Sequence, residues 1–357
     1  MKLKSHSNKI VPIILAAGRG SRMKRLTKNK PKSFVKIDKS KRLIDKVIEN
    51  FVTLGFKKIT IITSFFRADE YLEHYLNHIK NIVGYRTLCI HHAYNILGSH
   101  HNNDYVNKRL EQFSKNYSNF KLIRIDKDPG LYSLWNRSCN VARTRYMMTL
   151  NIDDMCEPKF IINALYEMNK YKADLVSCPI KVTKHKNTDF NDYHTVWYDT
   201  KKIYFDKRFD KMKQLHKANV FQNKNGEYCE LRCNRKYKYL NKTIDENHKD
   251  SVKVKYKFYS LEDMFIDWSN NNTFKSFNIP HCTPIWRRDL HKKYGYFDED
   301  IYGPYADFEF WLRLLKNGKR FIQLDKPMVL YLEDENSHNR RDSKRHEYMD
   351  RVKRLYL

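Results

Sequence analysis

Met147-Met148-Thr149-Leu150-Asn151-Ile152-Asp153-Asp154 is the stretch on which the fold turns. An apolar run ends directly in two carboxylates. The run Tyr146–Ile152 reads as a buried strand, and in open α/β sheets ligands gather at the carboxyl ends of strands. Two adjacent acids repel each other unless a cation neutralises them. Oxygen ligands at such a place suit Mg2+ or Mn2+, which also hold phosphate oxygens. The competing reading is that Asp154 only caps the helix opening near Pro158, with Asp153 in solvent.

Outward from this stretch, apolar runs alternate with helical spacing. Upstream, strands are expected at Ile10–Ala17, Lys58–Ser64, Arg86–His91 and Phe120–Ile125, with helices at Leu43–Leu54, Ala68–Ile79, Tyr105–Phe113 and Leu131–Ala142. Downstream, a helix runs from Pro158 to about Tyr171 and a strand covers Ala173–Val182. Residues 184–257 are rich in Lys, Asn, Asp and Tyr and read as an insertion, partly loop. Pattern returns at Ser260–Trp268 and His281–Leu290, with a helix near Ala306–Lys316 and strands at Arg320–Leu324 and Met328–Leu332. The expected fold is α/β: a mixed, mostly parallel sheet flanked by helices, with an N-terminal β–loop–α extension. Residues 1–57 form that extension, 58–335 the main domain, and 336–357 a charged tail expected to be an exposed helix.

Composition bounds the possibilities. The chain has 357 residues, 41% of them hydrophobic and 14% aromatic, which fits a folded protein rather than a disordered one. The formal net charge of +28 attracts anions. The basic residues are spread along the chain, so the charge reads mainly as solvated surface, and no specific nucleic-acid partner is expected. Seven cysteines show no disulfide framework; Cys229 and Cys233 are near each other but lack a second pair with zinc-ligand spacing. Reduced thiols point to a cytoplasmic setting. No stretch reaches the roughly 18 apolar residues of a membrane-spanning helix.

Two further blocks carry chemistry. Asp126-Lys127-Asp128-Pro129-Gly130-Leu131-Tyr132-Ser133-Leu134-Trp135-Asn136 puts a tight turn before a helix whose first turn bears polar and aromatic groups. Helix N-termini favour anions, and aromatic faces suit sugar or base rings. In Ala306-Asp307-Phe308-Glu309-Phe310-Trp311-Leu312-Arg313, Asp307, Phe310 and Trp311 share one helical face. Asp307 is either an N-cap or a general base beside a cleft.

Together these blocks resemble the family 2 glycosyltransferases of the GT-A fold. The likeness spans roughly Ile59 to Leu332, through DPGLYSLWN, LNIDDM, PHCTPIWRRDLHKKYGYFDE and ADFEFWLRL. It implies transfer of a sugar from a nucleotide diphosphate sugar to an acceptor hydroxyl, with inversion at the anomeric carbon and a divalent metal, Mn2+ or Mg2+. It places the metal on Asp153 and Asp154, the donor near Asp128, Gly130, Asn136 and Asp153, and the base at Asp307. His281, Trp286, Trp311 and Arg313 fall on the acceptor side. The acceptor class is a glycan, a lipid-linked molecule or a protein. The chain departs from the family pattern at Cys89–Asn95, where a nucleotide-reading Asp pair is usual, at Trp135, and at Asn151 in the acidic motif.

A second resemblance lies at the front. Leu15-Ala16-Ala17-Gly18-Arg19-Gly20-Ser21-Arg22-Met23, then Lys30-Pro31-Lys32, is similar to the opening of sugar-phosphate nucleotidyltransferases. It implies a phosphate loop of Gly18, Gly20, Arg22 and Lys32. The likeness covers about residues 10–64, so a truncated or repurposed module is the expectation. The alternatives are a nucleotidyltransferase or a two-step fusion, and a non-catalytic basic protein that binds glycans or nucleic acid.

Overall fold

The computed structural model describes residues 57–66, 68–97, 104–178, 180–183, 185–190, 282–324, 327–332 and 343–357, together with Val35, Leu261, Met264, Pro280 and five short strands between 194 and 276. The N-terminal segment and its phosphate-loop residues Gly18, Gly20, Arg22 and Lys32 lie outside the described residues, as does His281.

The chain builds a seven-stranded sheet from β1 (Ile59–Phe65), β2 (Cys89–Ile96), β3 (Phe120–Ile125), β4 (Tyr146–Thr149), β6 (Leu175–Ser177), β13 (Ile285–Arg287) and β14 (Phe321–Gln323). Their spatial order is β14-β6-β13-β4-β1-β2-β3. β1 pairs in parallel with both β2 and β4, β2 with β3, and β14 with β6. Only β13 runs against its neighbours β4 and β6. The sheet is therefore mixed and mostly parallel. β1, ITIITSF, is buried on both faces, as a doubly covered parallel strand is, and its buried Thr60 and Thr63 hydroxyls are hydrogen-bonded to Thr144 and to the Leu150 carbonyl.

Helices cover both faces. On one side α1 (Leu72–Asn81), the short α2 (Tyr85–Leu88), α3 (Asp104–Asn116) and α5 (Phe160–Tyr171) pack with Ile59, Ile61, Met148, Val176 and Ile322. On the other, α4 (Leu131–Val141) and α8 (Ala306–Lys316) pack with Ile62, Met147, Leu175, Trp286 and Phe321. The alternation of Met147 and Met148 between the two cores follows from the two-residue period of a strand. α6 (Asp289–Tyr294) and α7 (Glu299–Tyr302) connect β13 to α8, and one 3-10 turn, Gly303–Tyr305, leads into Asp307.

A second, six-stranded sheet has the order β5-β15-β7-β10-β9-β8, from β5 (Met155–Cys156), β7 (Ile180–Thr183), β8 (His194–Trp197), β9 (Asn219–Gln222), β10 (Tyr228–Arg232) and β15 (Val329–Leu332). β11 (Phe265–Asp267) and β12 (Phe274–Ser276) form a separate antiparallel pair.

Three expectations are corrected. The single strand at Ala173–Val182 is two strands, β6 and β7, in different sheets, separated by Cys178-Pro179. Proline lacks the N–H that would continue a ladder. The strand expected at Arg86–His91 starts at Cys89, after a helical turn opened by Gly84 at φ 79°. The final helix, α9 (Arg345–Tyr356), is docked, not simply exposed: Val352 is fully buried, Tyr356 donates to Glu309 at 2.7 Å, and Arg351 donates to the Ile301 carbonyl at 2.7 Å. Among the described residues no helix is long and apolar enough to cross a membrane.

Candidate functional site

β4 delivers the two acids. After Thr149 the chain stays anchored to β1 by the Leu150 N–H, which donates to the Ile62 carbonyl at 3.1 Å. It then turns: the Asp154 N–H donates to the Asn151 carbonyl at 3.2 Å, and the Asn151 amide donates to Asp154 Oδ2 at 3.0 Å. Asp154 is completely buried, and its Oδ1 lacks a hydrogen bond of ordinary geometry. Burial pushes its carboxyl well above the usual range, and the neighbouring Asp153 charge pushes it further; the Asn151 amide, the Leu332 N–H and the Cys282 thiol act in the opposite sense. Asp153 is half-buried and lines a small cavity with Tyr71, His74 and His185.

A divalent cation fits these residues. A carboxylate buried beside a second carboxylate, with one oxygen unpaired, is costly unless positive charge compensates it. Among the described residues no cluster of three or more His, Cys, Asp or Glu could hold a metal by itself. An ion here would complete its shell from water or phosphate oxygens, as Mg2+-type ions do.

The second part of the site is the Pro129-Gly130 turn. Asp128 Oδ1 accepts the Gly130 N–H at 3.0 Å. Gly130 sits at φ 89°, and a β-carbon there would lie 2.7 Å from Glu299 Oε2, so only glycine suits both backbone and neighbour. The turn launches α4, whose Tyr132 reaches α8. The Tyr132 hydroxyl lies 2.9 Å from Asp307 Oδ1 and 3.0 Å from the Pro304 carbonyl. The Phe308 N–H also donates to Asp307 Oδ1, at 2.7 Å. Asp307, half-buried at the start of α8, is thus oriented by a phenol from another element. Burial, then the Asp307 charge, pushes the Tyr132 hydroxyl far above its ordinary value, so it stays a donor.

The remaining expected residues take different places. Asn136 spends its amide on the backbone of Phe297, donating to the carbonyl at 2.8 Å and accepting the N–H at 3.1 Å. Beside it an open cleft of about 850 Å3 runs between α4 and α7–α8, lined by Asn136, Arg137, Tyr296, Glu299 and Tyr302. Trp286 is fully buried and donates to His291 Nε2 at 2.9 Å; His291 Nδ1 therefore carries the proton and donates to the Gly295 carbonyl at 3.1 Å. Trp311 packs against Trp286 at 5.4 Å between ring centroids and is 1% exposed. Arg313 pairs with Glu309 and donates to the carbonyls of Tyr294 and Tyr296. Trp286, Trp311 and Arg313 thus build the frame under Asp307. The structure brings together Asp128, Gly130, Tyr132, Glu299 and Asp307, and separately Tyr71, His74, Asp153 and His185. Both groups stand at the carboxyl edge of the parallel strands. Sequence reading set Tyr132 among aromatics whose faces suit a sugar or base ring and not on Asp307, because nothing local ties a residue at 132 to one at 307.

Residues 60–226 match the family described as Glycosyl transferase family 2, and residues 11–93 match the family described as Nucleotidyl transferase. Among solved structures, S. aureus TarS 1-349 in complex with UDP-GlcNAc is similar, with 13% identity, a TM-score of 0.51, and coverage of 83% of this chain and 65% of that one. Full S. aureus TarS gives 14% identity and a TM-score of 0.50, over 84% of this chain and 39% of that chain. The mannosyltransferase PcManGT from Pyrobaculum calidifontis, solved with GDP-Man and Mn2+, gives 11% identity and a TM-score of 0.49, over 87% of this chain and 71% of that one. This chain therefore spans less than two thirds of the TarS chains. No curated protein sequence matches it.

Proposed function

We propose, because residues 60–226 match the family described as Glycosyl transferase family 2, that the protein is an inverting, metal-dependent sugar transferase. Its donor is a nucleotide diphosphate sugar and its acceptor a hydroxyl on a glycan, a lipid-linked molecule or a protein. It works in the cytoplasm, with no specific nucleic-acid partner. The observation that carries the reading is the placement of Asp307: a half-buried carboxylate aimed by Tyr132, at the same sheet edge as Asp153 and Asp154.

Asp307 takes the proton from the acceptor hydroxyl, whose oxygen attacks the anomeric carbon. The bond from that carbon to the diphosphate oxygen breaks, and the diphosphate leaves from the opposite face, which inverts the centre. Asp153 and Asp154 would hold the divalent ion, which supplies positive charge to the leaving diphosphate. The Gly130 turn brings backbone close to the donor, with Asp128 fixing the turn. Trp286, Trp311 and Arg313 support the acceptor side by holding α8 and the 294–297 segment in place.

The test is release of nucleoside diphosphate from a panel of UDP- and GDP-sugars with Mn2+, repeated in excess chelator. Metal-dependent release supports the reading; chelator-insensitive release removes the metal from it. Because residues 11–93 match a nucleotidyltransferase family, a second reading is a two-step fusion. Pyrophosphate release from a nucleoside triphosphate plus a sugar phosphate tests it. The overlap of the two matches, 60–93, contains β1, α1, α2 and part of β2, which here belong to the transferase sheet and its helices. That favours an incomplete front module.

A further inference from the structure

On the sheet face covered by α8, one row of side chains is apolar and the next is polar. Phe321, Leu175, Trp286 and Met147 form the apolar row, since Phe321 pairs with Leu175, Leu175 with Trp286, and Trp286 with Met147. Two residues further along their strands, on the same face, stand Gln323, Ser177 and Thr149. Gln323 pairs directly with Ser177. All three are buried, at 0%, 3% and 1% exposure. Thr149 donates to the Cys282 carbonyl at 3.1 Å. Gln323 differs: neither its Oε1 nor its Nε2 has a hydrogen-bond partner.

A buried amide with both ends unpaired is unfavourable and calls for an explanation. A Met or Leu would fill the same space without that cost. The position of Gln323 supplies the explanation. The chain reverses between α8 and β14 at Asn317-Gly318, with Gly318 at φ 71°. Trp311 meets Phe321 at 6.3 Å between ring centroids. From Trp311 back to Asp307 is four helical residues, about 6 Å. From Phe321 on to Gln323 is two strand residues, about 7 Å. Both steps run toward the carboxyl edge, so Gln323 stands level with Asp307 on the facing strand. The Trp311 indole N–H, also buried, is likewise without a partner.

We propose that Gln323 is a specificity-determining contact for the acceptor, its unpaired amide hydrogen-bonding the hydroxyls of a neutral polyol or sugar unit presented to Asp307. This rests on the transferase reading above. A primary amide offers two donors and one acceptor. That set matches neighbouring hydroxyls. It brings no formal charge, so it gives an anionic or cationic group no counter-ion.

The experiment uses the full chain with Mn2+ and UDP, and glucose, N-acetylglucosamine and glycerol as hydroxyl-bearing probes. Probe binding is read by saturation-transfer NMR, nucleotide affinity by calorimetry, and unliganded stability by thermal unfolding. For Gln323→Met we expect probe affinity to fall at least tenfold, UDP affinity to stay within twofold, and the unfolding midpoint to be unchanged or higher. Gln323→Asn keeps the amide but draws it back, and is expected to bind the probes with intermediate affinity. Equal probe binding by wild type and Gln323→Met, or no binding of any probe by wild type, overturns the proposal, as does a lowered midpoint with unchanged binding, which would mark a purely structural amide. Failure of the transferase reading is distinguishable: the unsubstituted chain would then release no nucleoside diphosphate from any nucleotide sugar.

Discussion

The Tyr132 hydroxyl and the Asp307 carboxylate, 175 residues apart in sequence, meet at 2.9 Å. One hydrogen bond thus joins the helix after the Pro129-Gly130 turn to the start of α8, and sets the carboxylate that the proposed reaction uses as its base.

Replacing Asp307 by Asn keeps size and hydrogen bonding but removes the base. Transfer should fall by about 10^2 to 10^4-fold, the usual contribution of a positioned base. Calorimetric binding of UDP with Mn2+ should persist. Turnover equal to wild type would remove Asp307 from the mechanism.

Tyr132→Phe removes the hydroxyl that Asp307 and the Pro304 carbonyl face. We expect kcat to drop about tenfold with a smaller change in donor KM, and stability to fall by about 1 kcal/mol, typical of one lost hydrogen bond. Steady-state kinetics with urea unfolding separates the two effects. An unchanged kcat would mean that Asp307 needs no such positioning.

Asp153→Ala takes away the half-buried acid while leaving Asp154 in its pocket. Loss of Mn2+-dependent UDP binding, with the fold retained by circular dichroism, is the expected result. Binding that persists at wild-type strength would place the ion elsewhere.

Gly130→Ala forces a side chain into a backbone at φ 89° and toward the Glu299 carboxylate. The carboxylate end can swing away, so the backbone conformation sets most of the cost, about 1–3 kcal/mol. A midpoint in urea equal to wild type would show that the turn can be rebuilt without positive φ.

Three buried imidazoles set an acid limit on stability. Burial holds His78 and His91 down to about 3 and His291 to about 4, against an ordinary value of 6.5. In the folded state each is neutral where the unfolded chain would be protonated. Their penalty is absent above about pH 6.5 and grows as pH falls toward the folded values. Each adds about 1.4 kcal/mol per pH unit in that window, so together stability should fall by about 4 kcal/mol per unit near pH 5. Chemical unfolding from pH 7 to pH 5 measures this. A flat profile would show that the three rings are hydrated when folded.

Where strand and helix periodicity was strong, the sequence was legible. Phe120–Ile125 and Ala306–Lys316 lie where their patterns put them, because each segment's own spacing specifies which face is buried. The acids after β4 were also legible, since an apolar run ending in Asp-Asp is visible without any neighbour. Leu175 to Thr183 was not. An apolar run says that a segment is buried, not that its two halves join different sheets. Trp286 and Trp311 looked like ligand-facing aromatics but pack on each other, and an aromatic in sequence carries no mark of which surface it meets.

What the amino-acid order determined, then, was local: the elements, the turn that demands glycine, and the carboxylates at an element's end. Tertiary structure decided which of these meet. It set Tyr132 on Asp307, sank Asp154 beneath Asp153, and left the Gln323 amide unpaired beside α8. The reason is physical. Backbone periodicity and turn chemistry act over a few residues, whereas desolvation, charge pairing and hydrogen-bond satisfaction depend on whatever the fold brings within about 3–4 Å.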